Sequence, residues 1–303
     1  FAQDNISVKD DILPKTTVQG TQLQQPLLEF SACCGGCGET PNVKLLTQLF
    51  GDRLIIANAT GCSSIWGGYA PALPYTTNKY RHGPAWGNSL FEDNAEYGYG
   101  IMKAVKLRRQ KLVDLVSKAA AADNLQDSDK DILNAWLDGR DDAEASFALG
   151  EAIVDVVRPL AKGQVGTTEA NLYQQILDYS DMFQKKSIWA VGGDGWAFDI
   201  DYGGLDEVLA SKENINMLVL DTEGYSNTGG EMSKATQLGS VSSFSLDGKD
   251  TPKKRLARMI MQYDYVYVAQ VCFGADKQQI IRALREAEAY DGPSIVVALC
   301  PCI

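Results

Sequence analysis

From residue 187 to residue 299 the chain alternates between short apolar runs and helical stretches, and no other feature narrows its fold as far. Strand-sized runs at 187–192, 215–221, 264–271 and 294–299 are separated by helical patterns at 203–211, 252–262 and 276–289. Met217 to Leu220 and Ile295 to Leu299 are apolar on consecutive residues, so both faces of those strands must be covered. Parallel strands need long crossovers, and helices of this length supply them. The predicted fold is α/β, a parallel twisted sheet with helices on both faces. Residues 53–58 add an earlier buried strand. Tyr97, Ile101, Ala104, Val105, Leu112, Leu115 and Val116 recur at helical spacing within 91–122. Further helices are expected at 128–138, 141–160 and 168–185, punctuated by Arg158-Pro159 and Gly163, which makes a long helical insertion at about 100–185.

Residues 1–30, polar and broken by Pro14, Gly20 and Pro26, read as a connecting arm, leaving 31–303 as the domain proper. Residues 63–92 are rich in Gly, Pro, Trp and Tyr without periodicity and read as a long ordered loop, a kind that is usually functional. With 28 Lys and Arg against 39 Asp and Glu the net charge is −11, so the basic field of a nucleic-acid binder is missing. No apolar run approaches the ~18 residues of a bilayer span, and no membrane partner is expected. Phe1 is not an initiator methionine, and Cys300-Pro301-Cys302-Ile303 reads as the start of a loop, so a segment of a longer polypeptide is expected.

The seven cysteines are Cys33, Cys34, Cys37, Cys62, Cys272, Cys300 and Cys302. An odd number in a chain with a large core argues against a disulfide framework and for a reducing compartment. Cys34-Gly35-Gly36-Cys37 is a C-x-x-C pair set among glycines, whose backbone amides can turn toward a bound anion. Cys62 follows a strand, and Cys300 or Cys302 lies after the last one. Four such thiolates suit an iron–sulfur cluster or a structural zinc; buried inert thiols and a redox pair are the other readings.

The strand at 187–192 runs into Gly193-Asp194-Gly195-Trp196, and the strand at 215–221 into Thr222-Glu223-Gly224-Tyr225-Ser226-Asn227-Thr228-Gly229-Gly230. In a parallel sheet, ligands bind beyond the carboxyl ends of the strands. Asp194 can ligate Mg2+, with Thr222 and the Gly224 carbonyl as further hard oxygens. The glycines let a diphosphate approach the backbone. A G-D-G followed about thirty residues on by Asn is the thiamine diphosphate signature. Asp199 and Asp201, beyond the turn, are expected to be solvated or to support the motif from behind. His82, the only histidine, sits in an exposed-looking loop.

Further segments complete a resemblance: Leu23-Gln24-Gln25-Pro26-Leu27, Cys37-Gly38-Glu39-Thr40-Pro41, Ala59-Thr60-Gly61-Cys62-Ser63-Ser64-Ile65-Trp66-Gly67-Gly68, Pro84-Ala85-Trp86 and Ser89-Leu90-Phe91-Glu92-Asp93-Asn94-Ala95-Glu96. With the two glycine-rich loops and Pro301-Cys302-Ile303, they make nearly the whole chain resemble the C-terminal thiamine-diphosphate-binding part of the pyruvate:ferredoxin (flavodoxin) oxidoreductases. The resemblance implies a [4Fe–4S] cluster on Cys34, Cys37, Cys62 and Cys302. It implies Mg2+ on Asp194, Thr222 and the Gly224 carbonyl, where the family usually has a bulkier residue. It implies cofactor contacts from Gly193, Asp194, Gly195, Trp196, Thr222, Asn227, Thr228, Gly229 and Cys62, with Asn227 catalytic beside the thiazolium. Cys33, Cys272 and Cys300 are left as structural.

The implied reaction is oxidative decarboxylation of pyruvate with coenzyme A to acetyl-CoA and CO2, electrons passing to ferredoxin or flavodoxin. The implied partners are the remaining domains, one of which carries the glutamate that activates the cofactor, and a second copy in a homodimer. A C-x-x-C-x-x-C-x-x-x-C-P run is absent from this sequence, so two further clusters would lie elsewhere. The implied location is the cytoplasm, or the lumen of a mitochondrion-related organelle in an anaerobic eukaryote. The rival reading is a redox-inert zinc–thiolate structural module, which leaves G-D-G…Asn without a role.

Overall fold

The computed structural model describes residues 8–163 and 167–303. The first seven residues of the expected arm, and residues 164–166 of the expected insertion, lie outside the described residues. Two compact units are present: the described residues up to Ile101 together with Ser187–Ile303, and Met102–Lys186.

The first unit is built on a six-stranded, all-parallel sheet in the order β2-β1-β3-β4-β6-β5. Its strands are β1 (Leu54–Ala59), β2 (Ala85–Ser89), β3 (Ser187–Gly193), β4 (Asn216–Asp221), β5 (Tyr267–Val271) and β6 (Ser294–Leu299). Every residue of β4 is buried, as consecutive apolar residues require when a strand is covered on both faces. Leu46, Leu54, Ile56, Trp189, Leu218, Ile280, Leu284 and Val296 belong to one continuous core. Helices α1 (Val18–Leu23), α2 (Glu39–Phe50) and α3 (Cys62–Gly67) belong to this unit, and α4 (Asn94–Ala120) begins in it.

The second unit holds the rest of α4, then α5 (Asp127–Gly139), α6 (Ala143–Gly163) and α7 (Thr168–Asp178). Its own core is centred on Leu133, Trp136, Ile153, Val157 and Ile176, all fully buried, with Trp136 edge-on to Phe183 at 5.1 Å. Pro159 lies inside α6 instead of ending it, and α7 stops at Asp178, where the 168–185 reading continued. The first unit resumes after β3 with α8 (Tyr202–Ala210), α9 (Leu256–Ile260) and α10 (Lys277–Ala289). No helix among the described residues is long and apolar enough to cross a membrane.

The sequence expectations need three corrections. The stretch read as a long loop at 63–92 contains α3 and the edge strand β2. β2 pairs with β1 from Ile55↔Ala85 to Ala59↔Ser89, and only its last residue is buried, so it carries no apolar signature. The arm contains α1, capped by the Thr17 hydroxyl accepting from Gly20 N at 3.0 Å, and Leu27 and Leu28 beyond it are buried. The helix expected at 252–262 shrinks to α9; Lys253 and Lys254 lie before it, with their ammonium groups on Asp221 and the Phe198 carbonyl.

From β1 the chain passes outward to β2, then returns to β3 on the other side of β1 and continues toward β4. The loops leaving the carboxyl ends of β1 and β3 therefore diverge, and a crevice opens between them at the point where α/β sheets bind ligands.

Candidate active site

Parallel strands deliver their loops to one edge. Four of the six strands bring chemistry there: β1 leads to Cys62, β3 to Asp194, β4 to Thr222 and Gly224, and β6 to Cys302. The register is tight, with Gly193↔Leu220 and Asp221↔Leu299 paired. Pairing continues past the strand ends, where Cys300 N donates to Asp221 O at 2.9 Å and Cys302 N to Thr222 O at 3.1 Å.

Asp194 is fully buried at the end of β3, just before one turn of π-helix, Gly195–Ile200. Its Oδ1 accepts from Thr222 N at 3.0 Å and Thr222 Oγ1 at 2.8 Å, and its Oδ2 accepts from Ser233 Oγ. Thr222 Oγ1 also lies 3.1 Å from the Gly224 carbonyl oxygen. Thr222 Oγ1 thus stands next to each of the other two oxygens expected to hold a cation. Burial, with Asp221 nearby, pushes the Asp194 carboxyl up to about 6, against the pull of its hydrogen bonds. A buried carboxylate that pairs with no Lys or Arg among the described residues, in a chain of hard oxygens through Thr222, fits Mg2+.

The flanking glycines differ in purpose. A Cβ on Gly195 would stand 2.4 Å from the Tyr225 ring, so the close approach of that ring needs glycine. A Cβ on Gly193 would meet nothing nearer than the Leu220 carbonyl oxygen at 4.0 Å, which leaves open space beside Asp194 for a ligand. Trp196 is buried, its Nε1 donating to Asp201 Oδ2 at 2.7 Å.

Beyond Gly224 the chain makes a closed turn. Tyr225 N donates to Glu231 O at 2.8 Å and Gly230 N to Tyr225 O at 2.9 Å. Asn227, Thr228 and Gly229 stand exposed on its tip. Thr228 Oγ1 is turned back onto the Tyr225 carbonyl and the Glu231 carboxylate. Asn227 therefore sits on the rim and outside the buried oxygen cluster.

The thiols lie on the same edge. The Cys34–Cys37 loop precedes α2 and is held against the end of β6, where a Cβ on Gly38 would stand 2.8 Å from Cys300 Cβ. Burial, and then the charges of Glu39, Cys302, Cys37 and Cys34, push the Cys62 thiol up to about 12. Cys34, Cys37 and Cys302 are thus among the groups whose charge acts on Cys62. The tightest group is different: the ligand atoms of Cys33, Cys37 and Glu39 lie within 4.8 Å of one another, while the Cys34 and Cys302 side chains are exposed. Burial also raises the Cys33 thiol strongly. A Cβ on Gly35 or Gly61 would meet nothing within 4 Å. Four soft sulfurs beside that open space fit a cluster.

Several residues escape sequence reasoning. Ser233, 39 residues from Asp194, completes its hydrogen bonding. Glu39 is buried, accepts from Trp66 Nε1 at 2.9 Å, and is pushed up to about 7 by burial and by Asp194. Lys253 Nζ lies 2.6 Å from Asp221 Oδ2 and 2.9 Å from Glu223 Oε1, the residues on either side of Thr222. Asp201, by contrast, expected to be solvated or to support the motif from behind, does the second: it is buried, and the Oδ2 that takes the Trp196 indole also accepts from Ala95 N at 2.8 Å at the start of α4. No local signal marks Ser233 or Lys253, whose partners lie far along the chain.

Residues 177–298 match a family model described as thiamine pyrophosphate enzyme, C-terminal TPP binding domain. The chain is 55% identical over 306 residues to a pyruvate:ferredoxin oxidoreductase of Moorella thermoacetica, covering 100% of this chain and 26% of that one. It is 50% identical over 298 residues to a pyruvate-flavodoxin oxidoreductase of Klebsiella pneumoniae, covering 98% and 25%. It is 51% identical over 287 residues to a mitochondrial pyruvate dehydrogenase (NADP(+)) of Euglena gracilis, covering 95% and 16%. The chain spans about a quarter or less of the length of these relatives.

Proposed function

We propose that the chain, which matches the thiamine-diphosphate-binding segment of the pyruvate:ferredoxin and pyruvate-flavodoxin oxidoreductases, holds thiamine diphosphate through Mg2+ beside a [4Fe–4S] cluster. It does so as part of an enzyme that oxidatively decarboxylates pyruvate with coenzyme A and passes electrons to ferredoxin or flavodoxin. The observation that carries this reading is the pairing of two donor sets on one sheet edge. Asp194, Thr222 and the Gly224 carbonyl offer hard oxygens, and Cys34, Cys37, Cys62 and Cys302 offer soft sulfurs.

When bound, thiamine diphosphate supplies the carbanion chemistry that releases CO2 from a 2-oxoacid, with the cluster as a one-electron acceptor beside it. The chain's residues do the rest. Asp194, aimed by Thr222 and Ser233, presents its carboxylate to the cation. Open backbone at Gly193 admits the diphosphate. The buried Trp66 and Trp196 rings keep water from the crevice between β1 and β3. The Cys62 thiol gives up a proton on ligation, which its raised value makes unfavourable until a metal is present. Asn227, on the exposed rim, faces the side from which substrate and the remaining domains approach. The enzyme works in a reducing compartment, the cytoplasm or the lumen of a mitochondrion-related organelle, and pairs as a homodimer.

The test is metal and sulfide analysis of the intact enzyme purified without oxygen, beside calorimetric binding of thiamine diphosphate with Mg2+. Asp194→Ala should lose cofactor binding while keeping most of its iron, and Cys37→Ser should lose iron while still binding the cofactor, more weakly. Zinc in place of iron and sulfide on these cysteines would refute the redox reading.

A further inference from the structure

The loop that carries Thr222 and Gly224 has an unusual backbone. Glu223, between them, is left-handed at φ 66, a conformation that side chains other than those of Gly, Asn and Asp rarely adopt. That kink brings the Gly224 carbonyl back to Thr222 Oγ1. Three contacts hold Glu223 there. Its carbonyl accepts from Thr236 Oγ1 at 2.6 Å, and its Oε1 accepts from Gln237 Nε2 at 2.6 Å and pairs with Lys253 Nζ at 2.9 Å. The same ammonium lies 2.6 Å from Asp221, which is fully buried on the other side of Thr222. Among the described residues no second cation is paired with either carboxylate.

We propose that Lys253 is a positioning residue for the cation–diphosphate site. By clamping Asp221 and Glu223 with one ammonium, it holds Thr222 and Gly224 in register with Asp194. This rests on the reading of Asp194, Thr222 and Gly224 as that site. The clamp does two separable things. It compensates the buried charge of Asp221, which serves the fold, and it fixes the kink at Glu223, which serves the ligand oxygens. Without it, Glu223 keeps only its neutral partners, the strained backbone relaxes, and the Gly224 carbonyl leaves the cluster. Lys253 lines a cavity of about 450 Å³, so the larger head of arginine has room to replace it.

The experiment measures, in the intact enzyme, the Mg2+ concentration for half-maximal thiamine diphosphate binding by calorimetry, with the thermal midpoint of the cofactor-free protein. Lys253→Met should raise that concentration by about tenfold or more, and Lys253→Arg should hold it within about threefold. Lys253→Met combined with Asp221→Asn removes the unpaired buried charge. It should recover the thermal midpoint while the Mg2+ requirement stays high, because Glu223 remains unclamped. Glu223→Gln, which leaves the Asp221–Lys253 pair intact and spares the fold, should raise the requirement by about threefold or more. Unchanged Mg2+ dependence in Glu223→Gln, or full recovery of it in the double variant, would overturn the proposal. Asp194→Ala separates the two readings. If it binds the cofactor normally, the site itself is misread. If it loses binding while Lys253→Met does not, only the role of Lys253 falls.

Discussion

Asp194→Asn should stabilise the cofactor-free protein while destroying its response to the cofactor. The folded carboxyl is raised from an ordinary 3.8 to about 6 by burial. Between those values the folded state holds a proton that the unfolded state has released, so stability falls as pH rises through the window. At about 1.4 kcal/mol per pH unit, the deficit is about 3 kcal/mol at pH 8 and about half of that at pH 5. Asparagine avoids the cost. Its oxygen can accept from Thr222 N and Oγ1 as Oδ1 now does, and its amide can donate to Ser233 Oγ. Urea denaturation without metal should therefore show the variant more stable by up to about 3 kcal/mol at pH 8, with the gap narrowing toward pH 5. Adding Mg2+ and thiamine diphosphate at ~100 times the dissociation constant should stabilise the unmodified protein by about 2.7 kcal/mol and the variant hardly at all. A variant less stable than the original at pH 8 without metal, or one stabilised equally by the cofactor, would refute the reasoning.

Cys33→Ser and Cys272→Ser should keep their iron while Cys34→Ser loses it, as iron and sulfide assay of anaerobic protein would show; loss in Cys33→Ser alone would transfer the ligand role to the thiol nearest Cys37. Gly195→Ala drives a methyl into the Tyr225 ring, and calorimetry should find thiamine diphosphate binding weakened by about tenfold through displacement of the turn that ring begins. Trp136→Ala empties a fully buried site in the helical unit and should cost about 3–5 kcal/mol of that unit's stability, measured by hydrogen exchange of α5 and α6.

What the sequence disclosed follows from what each residue's role depends on. β4 and β6 were legible because a strand covered on both faces must be apolar at every step, a property written into consecutive residues. β2 was not, because Ala85-Trp86-Gly87-Asn88-Ser89 becomes a strand only through the free edge that β1 offers it. The closeness of Asp194, Thr222 and Gly224 was readable because each follows a strand end, and parallel strands share an edge. Ser233 and Lys253 were hidden because their partners lie across a loop whose path is set by tertiary contacts. Cys33 and Cys34 are adjacent, and which of them turns toward Cys37 depends on how the glycine loop is folded. Asn227 was singled out by its spacing, but spacing says nothing of depth, and the turn lifts it to the rim.

The hydrogen bonds from Cys300 N to Asp221 O and from Cys302 N to Thr222 O splice the two proposed sites into one ribbon. The segment that ends in Cys302, the proposed sulfur ligand, is zipped to the backbone of Thr222, the proposed oxygen ligand, so neither can be ordered without paying part of the entropy of ordering the other. Loading then becomes reciprocal, since whichever group arrives first lowers the cost for the second, and linkage makes the benefit equal in both directions. Protein stripped of its cluster should bind thiamine diphosphate more weakly and exchange the amide protons of residues 300–302 faster, and refilling either site should slow that exchange before any substrate is present.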